Sequence, residues 1–564
     1  MKITTIFWFL PLVFFASCQD LDKEVITTLS ENDVSTSYEM LKYNAMSVYE
    51  AIPNEFTNVG NAMLCSATDD AEFTNPASVI QRFNTGSWNA YSIPDDAWNQ
   101  YYTAIRKANL FLSNVRNVNL EYYRTNPNLA AEYTRRSNDI KKWSYEVRFL
   151  RAFFYFELIK RYGGVPLITT PLKTNEDYSK IKRDSLVTCA NFVTAESDSA
   201  ASVLTLKPPT TADLGRATKV AALALKSQAL LFEASDLWND PSWANTYGNA
   251  HPEYISLPTG DRAKRWKAAA DAALAVINTG LTMEVDYQVL FNSINYNSKE
   301  VIFCRRNAPS NDFERLNYPI GFDVAQGGNT PSQNLVDAYE VKTSTTVASP
   351  FDWNDPMQAA NPYGTTRDKR LGYSIITNGS QFKVRTIDCN TGGKDGSGIK
   401  NATRTGYYLK KYSDPNLDLL LGTTSVHTWI YIRAAEIYLN YAEALNEYAP
   451  GNTAIKTNYD KTRNRLTVKM PLLATGLSQD VVRQKIRNER RVELAFEGKR
   501  FFDVRRWMIA PATQNVPLRA VKIENNIYTP FNLENRVFEA KMYFYPIPQG
   551  DILKMNWVQN PGWN

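Results

Sequence analysis

Hydrophobic and polar positions alternate with a helical period towards both ends of the chain and lose that period in the middle. From Ser144 to Arg161, Leu150, Phe153, Phe154 and Leu158 recur three or four residues apart with charged residues between them, which predicts an amphipathic helix. Gly163, Gly164 and Pro166 end it. Ala217 to Leu237 is rich in Ala and Leu, and Arg265 to Asn278 places Trp266, Ala268, Ala272 and Ile277 at helical spacing, so both read as buried helices. Trp429 to Glu447 carries Ile430, Ala434, Ile437, Tyr441 and Ala444 on one face and Ile432, Ala435, Leu439 and Ala442 on another. A helix apolar around most of its circumference belongs inside the protein. Gln484 to Gly498 forms a last, charged helix with Gly498 as its stop.

Alanines beside large aromatics in successive helix pairs suggest a tetratricopeptide-like solenoid, without a regular repeat period. Between about Tyr287 and Val426, Gly, Asn, Pro, Ser and Thr punctuate short β-like pieces such as Glu300–Phe303 and Thr405–Tyr412. This stretch reads as a long irregular insertion with a few strands, and long loops are where binding residues gather. The first residues follow a third pattern. Lys2 precedes an apolar run from Ile3 to Phe15, too short to span a bilayer, and Phe15-Ala16-Ser17-Cys18 places small residues before a cysteine. That arrangement resembles a lipobox, with Cys18 as the acylated residue. The polar, acidic Gln19–Glu24 behind it reads as a solvated spacer.

Charge and cysteine content narrow the function classes. The chain has 63 basic and 58 acidic residues; removing Met1–Ser17 takes only Lys2 from that balance and leaves a net charge near +4. No nucleic-acid footprint follows from so even a balance. Cys65, Cys189, Cys304 and Cys389 are widely spaced and lack any C-x-x-C pair, so they are expected as buried free thiols, with neither a metal site nor a disulfide scaffold. The 12 Trp, 32 Tyr and 26 Phe suit sugar or peptide binding, and equally a large helical core.

Catalytic signatures are missing. His251 and His427 have no metal-ligand neighbours at helical spacing and are expected in solvated loops. The chain has no H-E-x-x-H, G-x-S-x-G or dinucleotide-binding glycine pattern, and Thr391–Gly398 lacks phosphate-loop spacing and reads as a flexible turn. Asp69, Asp70 and Glu72, then Asp95 and Asp96, form acidic clusters that a glycoside hydrolase would need; ligand hydroxyl binding, capping or solvation are the alternatives. Arg487–Arg491 with Glu489, Glu493 and Glu497 is expected to form ion pairs along one helix. No cofactor is implied.

Several blocks, in order, resemble the SusD/RagB family of outer-membrane nutrient-binding lipoproteins. They include Trp98–Tyr102 with Ile105, Ala108 and Asn109, then Arg148–Phe156 continuing to Tyr162–Leu167. Pro331–Asp337 and Arg367–Leu371 follow, with Lys369 where the family has proline. The second half adds Arg433–Ala444, Glu489–Gly498, Arg500–Trp507, Tyr545–Pro548 and Gln559–Trp563. Thr457–Pro471 departs from the family pattern, which implies an altered loop.

The resemblance implies a mainly α fold of about four tetratricopeptide-like helix pairs with a large loop-rich insertion containing a few short strands. The expected divisions are a signal peptide over residues 1–17, a tether over 18–30 and one globular domain over 31–564. Within that domain lie a helical part (31–280), the insertion (287–426) and a C-terminal helical part (427–564). A cell-surface, non-enzymatic glycan-binding lipoprotein is implied, anchored through Cys18 in the outer membrane, facing outwards, and partnered by a SusC-like TonB-dependent transporter. The family's ligand lies between an N-terminal loop and the middle insertion. On that loop Trp88 is the expected stacking platform, flanked by Asn89 and Tyr91, with Asp70, Glu72 and Arg82 as hydroxyl partners. From the insertion come Tyr296, Trp353 and Tyr363, with the Trp238–Trp243 loop in reserve. Trp98, Trp266 and Trp507 are expected in the core. The alternative for each candidate aromatic is that it anchors its own loop. Two other functions compete: a peptide-binding subunit on the same fold, and a glycoside hydrolase.

Overall fold

A computed structural model describes residues 36–173 and 175–564. The leader, Cys18 and the tether lie outside the described residues. Nine helices of eleven residues or more occur among those described: α1 (Tyr38–Glu50), α2 (Ala97–Asn114), α3 (Ala130–Tyr162), α4 (Leu186–Val203), α5 (Lys219–Ala234), α6 (Arg262–Ile277), α7 (Ala434–Tyr448), α8 (Thr453–Arg463) and α9 (Gln479–Glu493). Side-chain oxygens start several of them. Ser185 accepts from the Thr188 amide at α4, Thr218 from Ala221 at α5, and Asp261 from Lys264 at α6. Consecutive helices stack: α2 on α3, α3 on α4, α4 on α5, α5 on α6, α6 on α7, and α7 on both α8 and α9. The tetratricopeptide-like reading therefore holds. Although 156 residues separate α6 from α7 in the chain, the two pack directly, so the insertion loops out of the helical stack and returns to it.

Only the second half of α3 was legible as a periodic helix. Its first half, Ala130 to Trp143, is polar and held by surface pairs such as Glu132 with Arg135 and Arg136, which carry no apolar stripe. The stop at Gly163 is structural: its φ is +73°, and a Cβ there would sit 2.2 Å from the Tyr254 carbonyl oxygen.

The predicted helix over Trp429–Glu447 is corrected. Thr428–Arg433 is a fully buried strand, β4, antiparallel to β2 (Val301–Arg306), and α7 begins only at Ala434. Trp429, Ile430, Tyr431 and Ile432 are aromatic or β-branched residues that favour strands, and a continuous apolar run satisfies either period until a partner strand decides. The last helix also shifts. Ser478 caps it through the Val481 amide and it ends at Glu493, so Gly498 closes a later turn in which Phe496 too has positive φ.

Two further strand pairs position the insertion. β1 (Ala71–Phe73) pairs antiparallel with β3 (Asn329–Pro331), tying the N-terminal loop to the middle of the chain. β5 (Pro517–Glu524) and β6 (Ile527–Asn535) form the longest hairpin, turning at Asn525 and Asn526 with φ of +52° and +61°. Asparagine tolerates that left-handed conformation better than most residues, and paired positive φ values match the twist of a two-residue hairpin.

The glutamates near α9 pair across the fold and not along one helix, contrary to expectation. Glu493 accepts from Arg370 at 2.7 Å and from Arg433 and Arg465 at 2.8 Å each. Glu489 takes Arg370 and Arg463, and Glu497 takes Arg433 and Lys411. These charges are buried, and a buried charge persists only when opposed and hydrogen-bonded. His427 is also corrected. It is buried, and its Nε2 lies 2.8 Å from Glu314; His251 stays half-exposed beside Glu253. Nor is Thr391–Gly398 a free turn, because the buried Asp395 carboxylate accepts from Arg385 and from the Gly321 and Asp388 amides. Cys65, Cys189, Cys304 and Cys389 are all free and buried, as expected.

Candidate ligand-binding site

The N-terminal loop uses most of its expected binding residues to hold itself together. Trp88 is 3 % exposed, with its ring against Trp563 at 4.5 Å, Phe83 at 5.0 Å and Tyr545 at 5.2 Å. No ring face is left for a ligand, so the expected stacking platform is a core residue. Asp70 is completely buried and accepts from Arg491 at 2.7 Å, while Asp69 meets Arg491 and Arg500 at 2.9 and 2.8 Å. Burial pushes the Asp69 carboxyl up, but the two guanidiniums outweigh it and hold it down to about 2. Glu72 is likewise buried. It accepts from Gln81 at 2.9 Å, Arg404 at 2.6 Å and Arg536 at 2.7 Å, so its lone pairs are largely committed. Asp69, Asp70 and Glu72 thus hold the loop in place, the two aspartates sharing Arg491 and Arg500 while Glu72 takes Arg404 and Arg536.

What remains open on this loop is Arg82, Asn89 and Tyr91, all exposed, with Tyr91 at 81 %. Arg82 donates to Ser92 Oγ, and Asn89 Oδ1 accepts from the Tyr91 amide at 2.9 Å, so the tip is a tight, preformed turn. The segment lies beside the end of β6, where the Val537 amide donates to the Asn84 carbonyl.

From the insertion, Trp353 and Tyr363 belong to one connected polar network. Trp353 Nε1 donates to Asp337 Oδ1 at 3.0 Å, and the ring edge packs on Phe351. Asp337 also accepts from Gln333 at 2.7 Å and from Arg519 of β5 at 2.8 Å. The Tyr363 hydroxyl donates to the Tyr407 hydroxyl at 3.0 Å, and Tyr407 donates to Gln333 at 2.6 Å. Tyr363 also packs edge-on against Tyr528 of β6. Both aromatics are half-buried, and their polar atoms fix the rings in place. Tyr296 is not part of this assembly: the Arg306 guanidinium lies over its ring at 3.6 Å. Trp238 of the reserve loop is core at 1 % exposure, as are Trp98, Trp266 and Trp507, each under 9 %.

The β5–β6 hairpin is the shared support. Arg404 bridges Glu72 to Glu534 of β6, and Arg519 of β5 reaches the Trp353 network. Along β6, Phe531 is 40 % exposed and Tyr528 half-buried. Whereas Phe531 lies on the other face of the hairpin, Tyr528 and Arg519 share one face and back a surface of aromatic rings, guanidiniums and carboxylates. That mixture presents apolar faces to ring C–H groups and fixed donors and acceptors to hydroxyls. Sequence reasoning missed Asp337, Arg404, Arg519 and Tyr528. Paired asparagines between two alternating runs were the available signal.

Among the described residues, no cluster of His, Cys, Asp or Glu is arranged to hold a metal ion, and no helix is long and apolar enough to cross a membrane.

Comparison with known proteins places this geometry. The profile of the SusD family, SusD/RagB, matches residues 299–563. A second, SusD-like profile, described as starch-binding and associating with the outer membrane, matches residues 21–231. A SusD-like protein of Formosa agariphila, P2, is 25% identical over 486 residues, covering 83% of this chain and 80% of that one. The crystal structure of a SusD-like protein from Bacteroides fragilis superposes with a TM-score of 0.78 at 25% identity, over 94% of this chain and 98% of the other. A SusD-like carbohydrate-binding protein from the same organism gives 0.76 at 22%, over 92% and 99%. With a SusD-type profile at each end and a matching structure over nearly its whole length, the chain belongs to the SusD/RagB family.

Proposed function

We propose that the protein captures an oligo- or polysaccharide at the cell surface and passes it to a SusC-like TonB-dependent transporter, without cleaving it. Cys18 serves as the acylated anchor in the outer membrane, facing outwards, with residues 18–30 as tether to the single globular domain over 31–564. The observation that carries the reading is the hairpin-backed surface on which Trp353 and Tyr363 share a polar network with Asp337 and Arg519. Family context points the same way: one matching profile describes starch-binding proteins, and a structural neighbour is described as carbohydrate-binding. Trp353 and Tyr363 supply ring faces, and Arg519, Arg404, Arg82 and Asn89 supply hydroxyl partners, with Tyr91 as an exposed ring at the loop tip. Commitment of Asp69, Asp70 and Glu72 to arginines argues against a hydrolase acid pair at this loop. Native gels cast with individual polysaccharides test the reading. Retardation in at least one neutral glycan, without release of reducing ends, is expected; product release would overturn the non-enzymatic reading.

A further inference from the structure

A cleft of about 830 Å³ shares no lining residue with the Trp353–Tyr363 network. Its aromatic wall is formed by Tyr318, Phe322 and Phe382, with Phe382 edge-on to Tyr318 at 5.3 Å and to Phe322 at 5.8 Å. Of the three rings, Phe322 keeps part of its surface exposed. Two lysines line the same cleft. Lys383 sits in the two-residue turn between the short strands Gln381–Phe382 and Arg385–Thr386, at a φ of +53° that is costly for a side chain other than glycine. Its ammonium is held 5.0 Å from the Tyr318 ring centroid and 5.6 Å from that of Phe322, and it donates to the Leu417 carbonyl. Lys410 donates to the Gly372 carbonyl at 2.7 Å.

Both lysines are half-buried, and the polar partners they have among the described residues are carbonyl oxygens, not carboxylates. Burial pushes Lys410 below the usual lysine range, with no carboxylate to oppose it. The acids at this cleft, Asp323 and Asp418, are exposed, and Asp418 already accepts the Leu420 and Leu421 amides. Arg385, two residues after Lys383 in the hairpin, covers one face of the Phe322 ring at 4.2 Å and is neutralised by Asp395. The two lysines are half-buried and the two acids exposed, so the field of the ammoniums is screened less than that of the carboxylates and an anion in the recess is favoured.

We propose that this cleft is a second ligand site that takes an anionic saccharide, its carboxylate or sulfate held by Lys383 and Lys410 and its ring set against Phe322. The inference rests on the saccharide-capture reading above and adds a charge preference that the hairpin surface does not supply. Calorimetric titration at low ionic strength with tetragalacturonate, a κ-carrageenan tetrasaccharide and maltotetraose tests it. The wild-type protein is expected to bind the carboxylated probe, the sulfated probe or both more tightly than the neutral one, and whichever binds identifies the anion. Lys383→Gln combined with Lys410→Gln should weaken that binding at least tenfold while keeping retardation in a neutral polysaccharide gel and the wild-type melting curve. If neither anionic probe outbinds maltotetraose, or the folded double variant stays within twofold of wild type, the proposal is overturned. Failure of the hairpin reading shows elsewhere, as neutral-glycan binding that survives Trp353→Ala.

Discussion

Glu493 shows how much rests on single charges inside this fold. Burial pushes its carboxyl up, but Arg465, Arg433 and Arg370 outweigh that and hold it well below the usual carboxylate range. Removing one member of such a cluster strands the others, so Glu493→Gln should cost about 3 to 5 kcal/mol in urea denaturation at pH 7. A depressed folded value means the stabilisation is present above the unfolded carboxylate range and is lost as pH falls through it towards the folded value. The difference between Glu493→Gln and wild type should therefore shrink steadily below about pH 4.5; a difference constant with pH would sink the ion-pair account. Trp88→Ala now has a different expected outcome from one at a binding residue. With its ring enclosed by Phe83, Tyr545 and Trp563, truncation should cost about 3 to 5 kcal/mol of stability, read from the same denaturation curves. The cysteines give a simpler check. Burial pushes Cys65, Cys189 and Cys304 up to about 12, so native protein should leave an aromatic disulfide reagent unreacted until denatured.

Elements rather than residues decide where the candidate surface stands. Asn525 at φ +52° turns the β5–β6 hairpin that carries Arg519, Tyr528 and Phe531. Asn525→Val should lose about 1 to 2 kcal/mol in urea denaturation, whereas Asn525→Gly should be close to neutral. Equal losses in both variants would show that the asparagine side chain, not its backbone, matters there. The helical stack was readable because its apolar faces repeat every three or four residues, as in Leu150, Phe153, Phe154 and Leu158. Strand β4 was not, since Trp429–Ile432 is apolar on both faces and only its pairing with Val301–Arg306 separates strand from helix. The candidate surface was half legible. Trp353 and Tyr363 stood out as aromatics in polar loops, but Arg519 lies 166 residues after Trp353, and no local pattern reveals that Asp337 joins them. Asp70 and Glu72 misled for the same reason: their arginine partners are hundreds of residues away in sequence.

At the scale of the whole molecule, a helical stack holds one end of a long loop-rich insertion while strand pairs from the N-terminal loop and the C-terminal hairpin hold the other. The candidate surface and the helical scaffold are thus separate parts of the molecule. If Cys18 carries the tether, Cys18→Ala should leave glycan binding intact and move the protein from the membrane fraction to the soluble one. A variant still retained at the membrane would assign retention to the transporter. On the proposed reading, the hairpin-backed face is where a glycan binds. Affinity electrophoresis of Trp353→Ala beside wild type, in the neutral polysaccharide that retards wild type most, tests it most directly. At least a tenfold loss of affinity, about 1.4 kcal/mol, in a variant that melts like wild type is the predicted result; retardation equal to wild type would contradict it.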